Sequence, residues 1–223
     1  VRYDVPIGHQ LFGKAHVCAC RDGEIAQVNA ERLPGLSNLL PTQLALTLDD
    51  IAERGECTAK MLGAGRDFAA FPYGMLTVWG GPGNGKTALL IALVNHFNTI
   101  RFGEAYYVRF VDLLDIVRAG YEAKVELDAR RRYERLKNIW FLAIDEMDKA
   151  NMTGWASEFR ARFFDDRYTL ARERLCHTAI AMNDDPASLP DYLYDRLRWG
   201  AAPGANGFRI VHNADESARP VGL

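Results

Sequence analysis

The sequence lacks any apolar run approaching the length of a membrane-spanning helix, and no signal peptide opens it. Both lacks predict a cytoplasmic protein with no membrane partner. Cysteine is scarce: Cys18, Cys20, Cys57 and Cys176 are the 4 in 223 residues, which points to a reducing compartment and not to a disulfide framework. An excess of one charge is lacking too. With 27 Lys and Arg against 29 Asp and Glu, the formal net charge is −2, so a surface for a polyanion has to be local. What is present, 48% hydrophobic and 25% charged residues, suits one α/β domain with a small appendage and a substantial core. The chain begins at Val1, not Met, and reads as a fragment or a trimmed chain.

The stretch that organises the rest is Met75 to Thr87, MLTVWGGPGNGKT. Met75 to Trp79 reads as a buried strand, and Ala88 to Val94 as a helix packed on most sides. Between them Gly80, Gly81, Pro82, Gly83, Asn84, Gly85, Lys86 and Thr87 fit the pattern G-x-x-x-x-G-K-[ST]. Glycines let successive backbone N–H groups turn inward, and the helix from Ala88 adds its positive N-terminal end. Such a nest suits the β- and γ-phosphates of a nucleoside triphosphate, with Lys86 between them and the Thr87 hydroxyl on Mg²⁺. A glycine-rich turn that matches by chance is the alternative, and the strand before and helix after argue against it.

Upstream, Pro and Gly break residues 1–46 into short turns and strands. His9, His16, Cys18 and Cys20 are raw material for zinc, yet their spacing is not that of a standard finger. Thr47 reads as a helix cap, and a helix is expected from Cys57 to Phe71. Downstream, Tyr106 to Phe110 reads as a second strand, a short helix opens at Asp112, and Glu122 to Lys137 reads as a highly charged helix. Arg130, Arg131, Arg132, Arg135 and Lys137 make the end of that helix basic. A nucleic-acid or partner surface and a solvated face laced by ion pairs both fit it.

Trp140 to Ile144 is a continuous apolar run followed by Asp145-Glu146. An acid at a strand's C-terminal end is placed to hold Mg²⁺, and Glu146 to polarise the water that attacks a γ-phosphate. Ser157 to Arg172 reads as a helix with Phe159, Phe163 and Phe164 inward and Arg160, Arg162, Arg167 and Arg172 outward. His177 to Met182 reads as the fourth strand, with Asn183 at its end, either reaching the γ-phosphate or forming a turn. Leu189 to Trp199 reads as a short helix burying Leu189, Leu193 and Leu197; Phe208 to Val211 reads as a fifth strand, and Ala214 to Leu223 as a frayed end.

Taken in order, WGGPGNGKT, FLAIDE, AIAMN and LYDRLRWG resemble an AAA+ ATPase, and within that group the DnaC-type helicase loaders and their IstB-like transposition relatives. The resemblance runs from about Leu46 to Val211, so residues 47–223 are expected to be the ATPase core and 1–46 an irregular leader. It implies a three-layer P-loop fold with a parallel five-stranded sheet in the order 5-1-4-3-2. It also implies ATP and Mg²⁺ at Walker A residues Gly80 to Ala88 and at Asp145, with Asn183 as the sensor-1 residue. Arg196 would be the arginine finger for a neighbouring subunit, with Arg198 the other candidate. The C-terminal helical lid of the family is absent or cut short here, so no sensor-2 arginine is expected. Some phage members carry a zinc ribbon in which a Cys-x-x-Cys pair precedes a Cys-x-Cys like Cys18-Ala19-Cys20; the first pair is missing here, which leaves at most a half-site.

The expected function is an ATP-driven switch in DNA replication: a loader of the replicative helicase, assembling with copies of itself on single-stranded DNA and resetting by hydrolysis through Glu146. An IstB-like transposition helper shares every one of these motifs. A P-loop kinase is the reading from another class; the acid pair after the third strand favours water as the acceptor, and no Arg-rich lid segment is evident.

Overall fold

The computed structural model describes residues 28–29, 31–119, 126–198 and 210–217. His9, His16, Cys18, Cys20, Trp199 and Phe208 lie outside them. Five strands form one sheet: β1 (Met75–Trp79), β2 (Ala105–Arg109), β3 (Phe141–Asp145), β4 (His177–Met182) and β5 (Ile210–His212). Their order is β2-β3-β4-β1-β5 and every pairing is parallel, the arrangement the resemblance implies. β1, β3 and β4 are near-continuous apolar runs because both faces of a parallel sheet are covered.

Side chains alternate between those faces. Leu76, Val78, Ala143, Ala179 and Ala181 meet α1 (Glu56–Ala70) and α2 (Lys86–Ile100). Met75, Leu142, Ile144, Ile180 and Met182 share the second core with residues of α3 (Phe110–Arg118), α4 (Glu126–Asn138), α5 (Gly154–Arg172) and α6 (Asp191–Arg198). Leu76 pairs with Ala179 and Leu142 with Thr178, so the C-terminal ends of β1, β3 and β4 reach one edge together. In an open parallel sheet that edge is where ligands bind.

Several boundaries differ from expectation for local reasons. Thr47 does cap, but over a single 3-10 turn (Leu48–Asp50), where Asp50 accepts from the Thr47 N–H and hydroxyl. β2 runs straight into α3, with Asp112 held by the Arg109 guanidinium instead of opening the helix. Upstream of α1, residues 31–37 are helical. Asn38, at φ +60°, stops that run, and its side-chain amide donates to the carbonyl of Tyr107 on the edge strand.

Two expectations are corrected. Arg160 and Arg167 of α5 do not face solvent: Arg160 is 7% exposed and Arg167 is fully buried. Arg167 sits among backbone carbonyls that need donors, an environment no helical periodicity reports. Residues 214–217 are not frayed either. Asp215 accepts from the Thr58 N–H and hydroxyl, both at 2.6 Å, and so satisfies the N-terminus of α1 that Gly55 cannot cap. Those same bonds hold the Asp215 carboxyl below its usual pKa. Among the described residues, Cys57 and Cys176 are free thiols, and no helix is long and apolar enough to cross a membrane.

Candidate nucleotide site

The glycine loop between β1 and α2 has the backbone its composition predicts. Gly80 has φ +135°, and a Cβ there would stand 2.0 Å from the Asn213 carbonyl oxygen. Gly85 has φ +92° and opens α2. Both conformations are strained for any other residue. Lys86, only 7% exposed, folds its ammonium back over the loop and donates to the carbonyls of Gly80 (2.7 Å) and Gly81 (2.6 Å) and to Asn84 Oδ1 (3.0 Å). These acceptors are neutral. An entering phosphate offers the same ammonium a charged acceptor, and charge-assisted hydrogen bonds are roughly twice as strong.

Across the cleft, Thr87 Oγ1 donates to Asp145 Oδ2 at 2.7 Å. The Tyr107 hydroxyl donates to the same oxygen at 2.8 Å, and the Glu146 N–H donates to Oδ1 at 2.8 Å. Asp145 is 4% exposed, so three donors keep a nearly buried carboxylate satisfied and aimed at Thr87. Burial first, then the Asp145 charge, push the Tyr107 hydroxyl well above the usual tyrosine range, and it remains a donor. A pair of hard oxygen ligands, the hydroxyl of exposed Thr87 and the carboxylate of buried Asp145, fits Mg²⁺. Among the described residues no group of three or more His, Cys, Asp or Glu side chains is placed to hold a metal.

Glu146 follows with φ +53°, rare for a residue with a long side chain. Its carboxylate is ion-paired with the Lys149 ammonium. The turn between them is stitched to the end of β4: Met147 N–H donates to the Ala181 carbonyl, and Asp148 Oδ2 accepts from the N–H groups of Asn183 (2.9 Å) and Asp184 (3.1 Å). Asn183 thereby lines the same cleft as Lys86, Thr87, Asp145 and Glu146, a space of about 220 Å³. Pro82 to Gly85 form its other wall. Ala88 packs into the core behind it.

Arg196 and Arg198 do not line that cleft. Arg196 is on α6, with Nε 3.1 Å from Asp165 Oδ1, Nη1 3.5 Å from Asp195, and its guanidinium over the Tyr168 ring. Arg198 lies over Tyr194. Besides Lys149, three contributors carry no motif. Tyr107 stands on the same pleat face as Arg109, which pairs with Asp145, so strand parity could have found it. Asn213 is 129 positions from Asn84, and the two exchange amide and carbonyl hydrogen bonds at 2.6 and 2.9 Å; no local signal announces that. Arg54 reaches the Gly83 carbonyl from before α1.

Neither a protein-family model nor a curated protein matches the sequence. Solved structures do match. The crystal structure of the DnaC helicase loader is 17% identical with a TM-score of 0.60, covering 77% of this chain and 99% of that one. DnaI is 16% identical with a TM-score of 0.61, covering 84% and 100%. The replication initiator DnaA bound to AMPPCP and single-stranded DNA is 17% identical with a TM-score of 0.60, covering 77% and 50%.

The chain has the fold of these structures.

At these identities the likeness concerns architecture alone, and the chain spans half the length of two of the DnaA structures it matches. Within that fold, the cleft described here lies at the C-terminal edge of β1, β3 and β4, lined by Lys86, Thr87, Asp145 and Glu146 together.

Proposed function

We propose that this protein binds and hydrolyses ATP and acts in DNA replication as a loader of the replicative helicase, assembling with copies of itself on single-stranded DNA. The observation that carries the catalytic part is the convergence of Lys86, Thr87, Asp145, Glu146 and Asn183 on one cleft. In this reading the loop amides and Lys86 bind the β- and γ-phosphates, and Thr87 and Asp145 hold Mg²⁺, which when bound neutralises charge on the phosphates. Glu146 accepts a proton from the attacking water as the oxygen joins the γ-phosphorus; the bond to the bridging oxygen breaks and ADP leaves. Asn183 orients that water or the γ-phosphate.

Support for the biological role comes from the likeness to the DnaC and DnaI helicase loaders and to DnaA bound to single-stranded DNA. Arg130, Arg131, Arg132 and Arg135, all exposed on α4, form the local basic surface a nucleic-acid strand needs. Arg196, remote from the cleft of its own chain, supplies the arginine finger to a neighbouring copy. The test is phosphate release at rising protein concentration, with and without single-stranded DNA. Specific activity should climb in both titrations, because a missing finger costs about 10³–10⁵ in rate. Flat activity in both removes the assembly model, and transfer of phosphate to a small acceptor in place of release makes the protein a kinase.

A further inference from the structure

Lys149 belongs to no motif, yet it lines the nucleotide cleft beside Glu146. Its N–H donates to the Glu146 carbonyl at 3.1 Å, so a tight turn holds the two side chains together, and its ammonium pairs with Glu146 Oε1. The Asp148 and Met147 contacts with the end of β4 keep that turn in place. The pair itself is exposed, 52% for Lys149 and 34% for Glu146. Exposed pairs of this kind are screened by solvent and hold two long side chains at an entropic cost. Such a contact does little for stability and is cheap to exchange.

The exchange has a natural acceptor. While the ammonium sits on Glu146 Oε1, it competes with a water for that carboxylate. A terminal phosphate in the cleft carries more negative charge than one carboxylate and presents more acceptor oxygens. The Glu146 backbone is fixed in the left-handed region, so the flexible partner is the four-carbon stem of Lys149.

We propose that Lys149 is a second phosphate-binding lysine of the cleft, one that masks Glu146 until a terminal phosphate draws its ammonium away. This rests on the ATPase reading above and extends it to how the site tells a triphosphate from a diphosphate. Lys86 contacts either nucleotide, whereas Lys149 gains a partner only from the γ-phosphate. With a diphosphate bound the ammonium returns to Glu146 and the carboxylate is covered again.

The test is calorimetric titration of the full chain with AMPPCP and with ADP, each with Mg²⁺. Lys149→Met should weaken AMPPCP by about tenfold, the loss of one charge-assisted contact, while ADP stays within about twofold. Lys149→Arg, which keeps the charge, should recover most of the loss. Glu146→Gln should tighten AMPPCP when Lys149 is present and not when it is Met, because only the former has a competing carboxylate to escape. An AMPPCP-to-ADP preference that is unchanged or raised in Lys149→Met overturns the proposal and leaves the ATPase reading intact, provided the wild type binds both nucleotides. A wild type that binds neither overturns both.

Discussion

At the scale of single residues, the proposed function divides the labour of the cleft between groups that bind and one that reacts. Lys86 and Asp145 are buried and Thr87, though exposed, is hydrogen-bonded to Asp145, while Lys86 is bonded to the loop, and these bonds keep the binding groups aimed. Glu146 is partly exposed and pairs with the Lys149 ammonium; once that ammonium is drawn away, its carboxylate is free to reach a water. Glu146→Gln preserves the shape of the side chain and removes the base. It should therefore bind ATP at least as tightly as the wild type and lose about 10²–10⁴ in phosphate release, measured by single-turnover hydrolysis. Normal turnover in that variant would remove Glu146 from the chemistry. The motif residues were legible because each has a local reason to be where it is: a glycine at positive φ, a lysine opening a helix, an acid closing an apolar strand. Tyr107 and Asn213 were not, because their partners are distant in the chain.

At the scale of elements, Arg167 joins three of them. Its Nη1 donates to the carbonyls of Leu136, Lys137 and Ile139 at the end of α4, its Nη2 to the His177 carbonyl and its Nε to the Thr178 hydroxyl at the start of β4. Burial lowers its pKa from the usual arginine range, and the charge persists because five acceptors surround it. It replaces water at the C-terminus of the basic helix, where unpaired carbonyls and the negative end of the helix dipole favour a cation. Arg167→Ala leaves those carbonyls buried without donors and should destabilise the fold by about 3–5 kcal/mol, read by urea unfolding. Arg167→Lys should recover little, since an ammonium cannot present a planar fork to acceptors on two elements. A change under about 1 kcal/mol in the alanine variant would show that water takes over these acceptors. Helical periodicity placed this arginine outside because it reports the average face of α5, while the end of α4 demands one cation inside.

At the scale of the whole molecule, the proposed active site needs two copies of the chain, since Arg196 of α6 is engaged with Asp165 and Tyr168 on α5 and does not line its own cleft. Two inactive variants should therefore complement each other. Arg196→Ala keeps its base and lacks the finger, and Glu146→Gln keeps the finger and lacks the base. Mixed in equal amounts, some interfaces pair an intact cleft with an intact finger, and phosphate release should rise well above that of either alone, given the about 10³–10⁵ in rate a finger supplies. Mixtures no more active than their parts would assign the finger elsewhere or place the whole site in one chain.

Sequence alone carried the strands, the glycine loop, the acids that follow β3 and the helices on either side, because turn chemistry and burial periodicity are local and act on neighbours. The order of the strands entered through family resemblance: strands buried on both faces look alike, and nothing in one of them names its neighbour. Folding in three dimensions supplied the rest. It set β4 between β1 and β3, which brings Asn183 to the cleft, closed Asn213 onto Asn84, anchored α1 with Asp215, and buried Arg167 among carbonyls. Each of these unites groups far apart in sequence, and such pairings are selected by the free energy of the packed whole, where a buried polar group must find a partner wherever the chain happens to bring one.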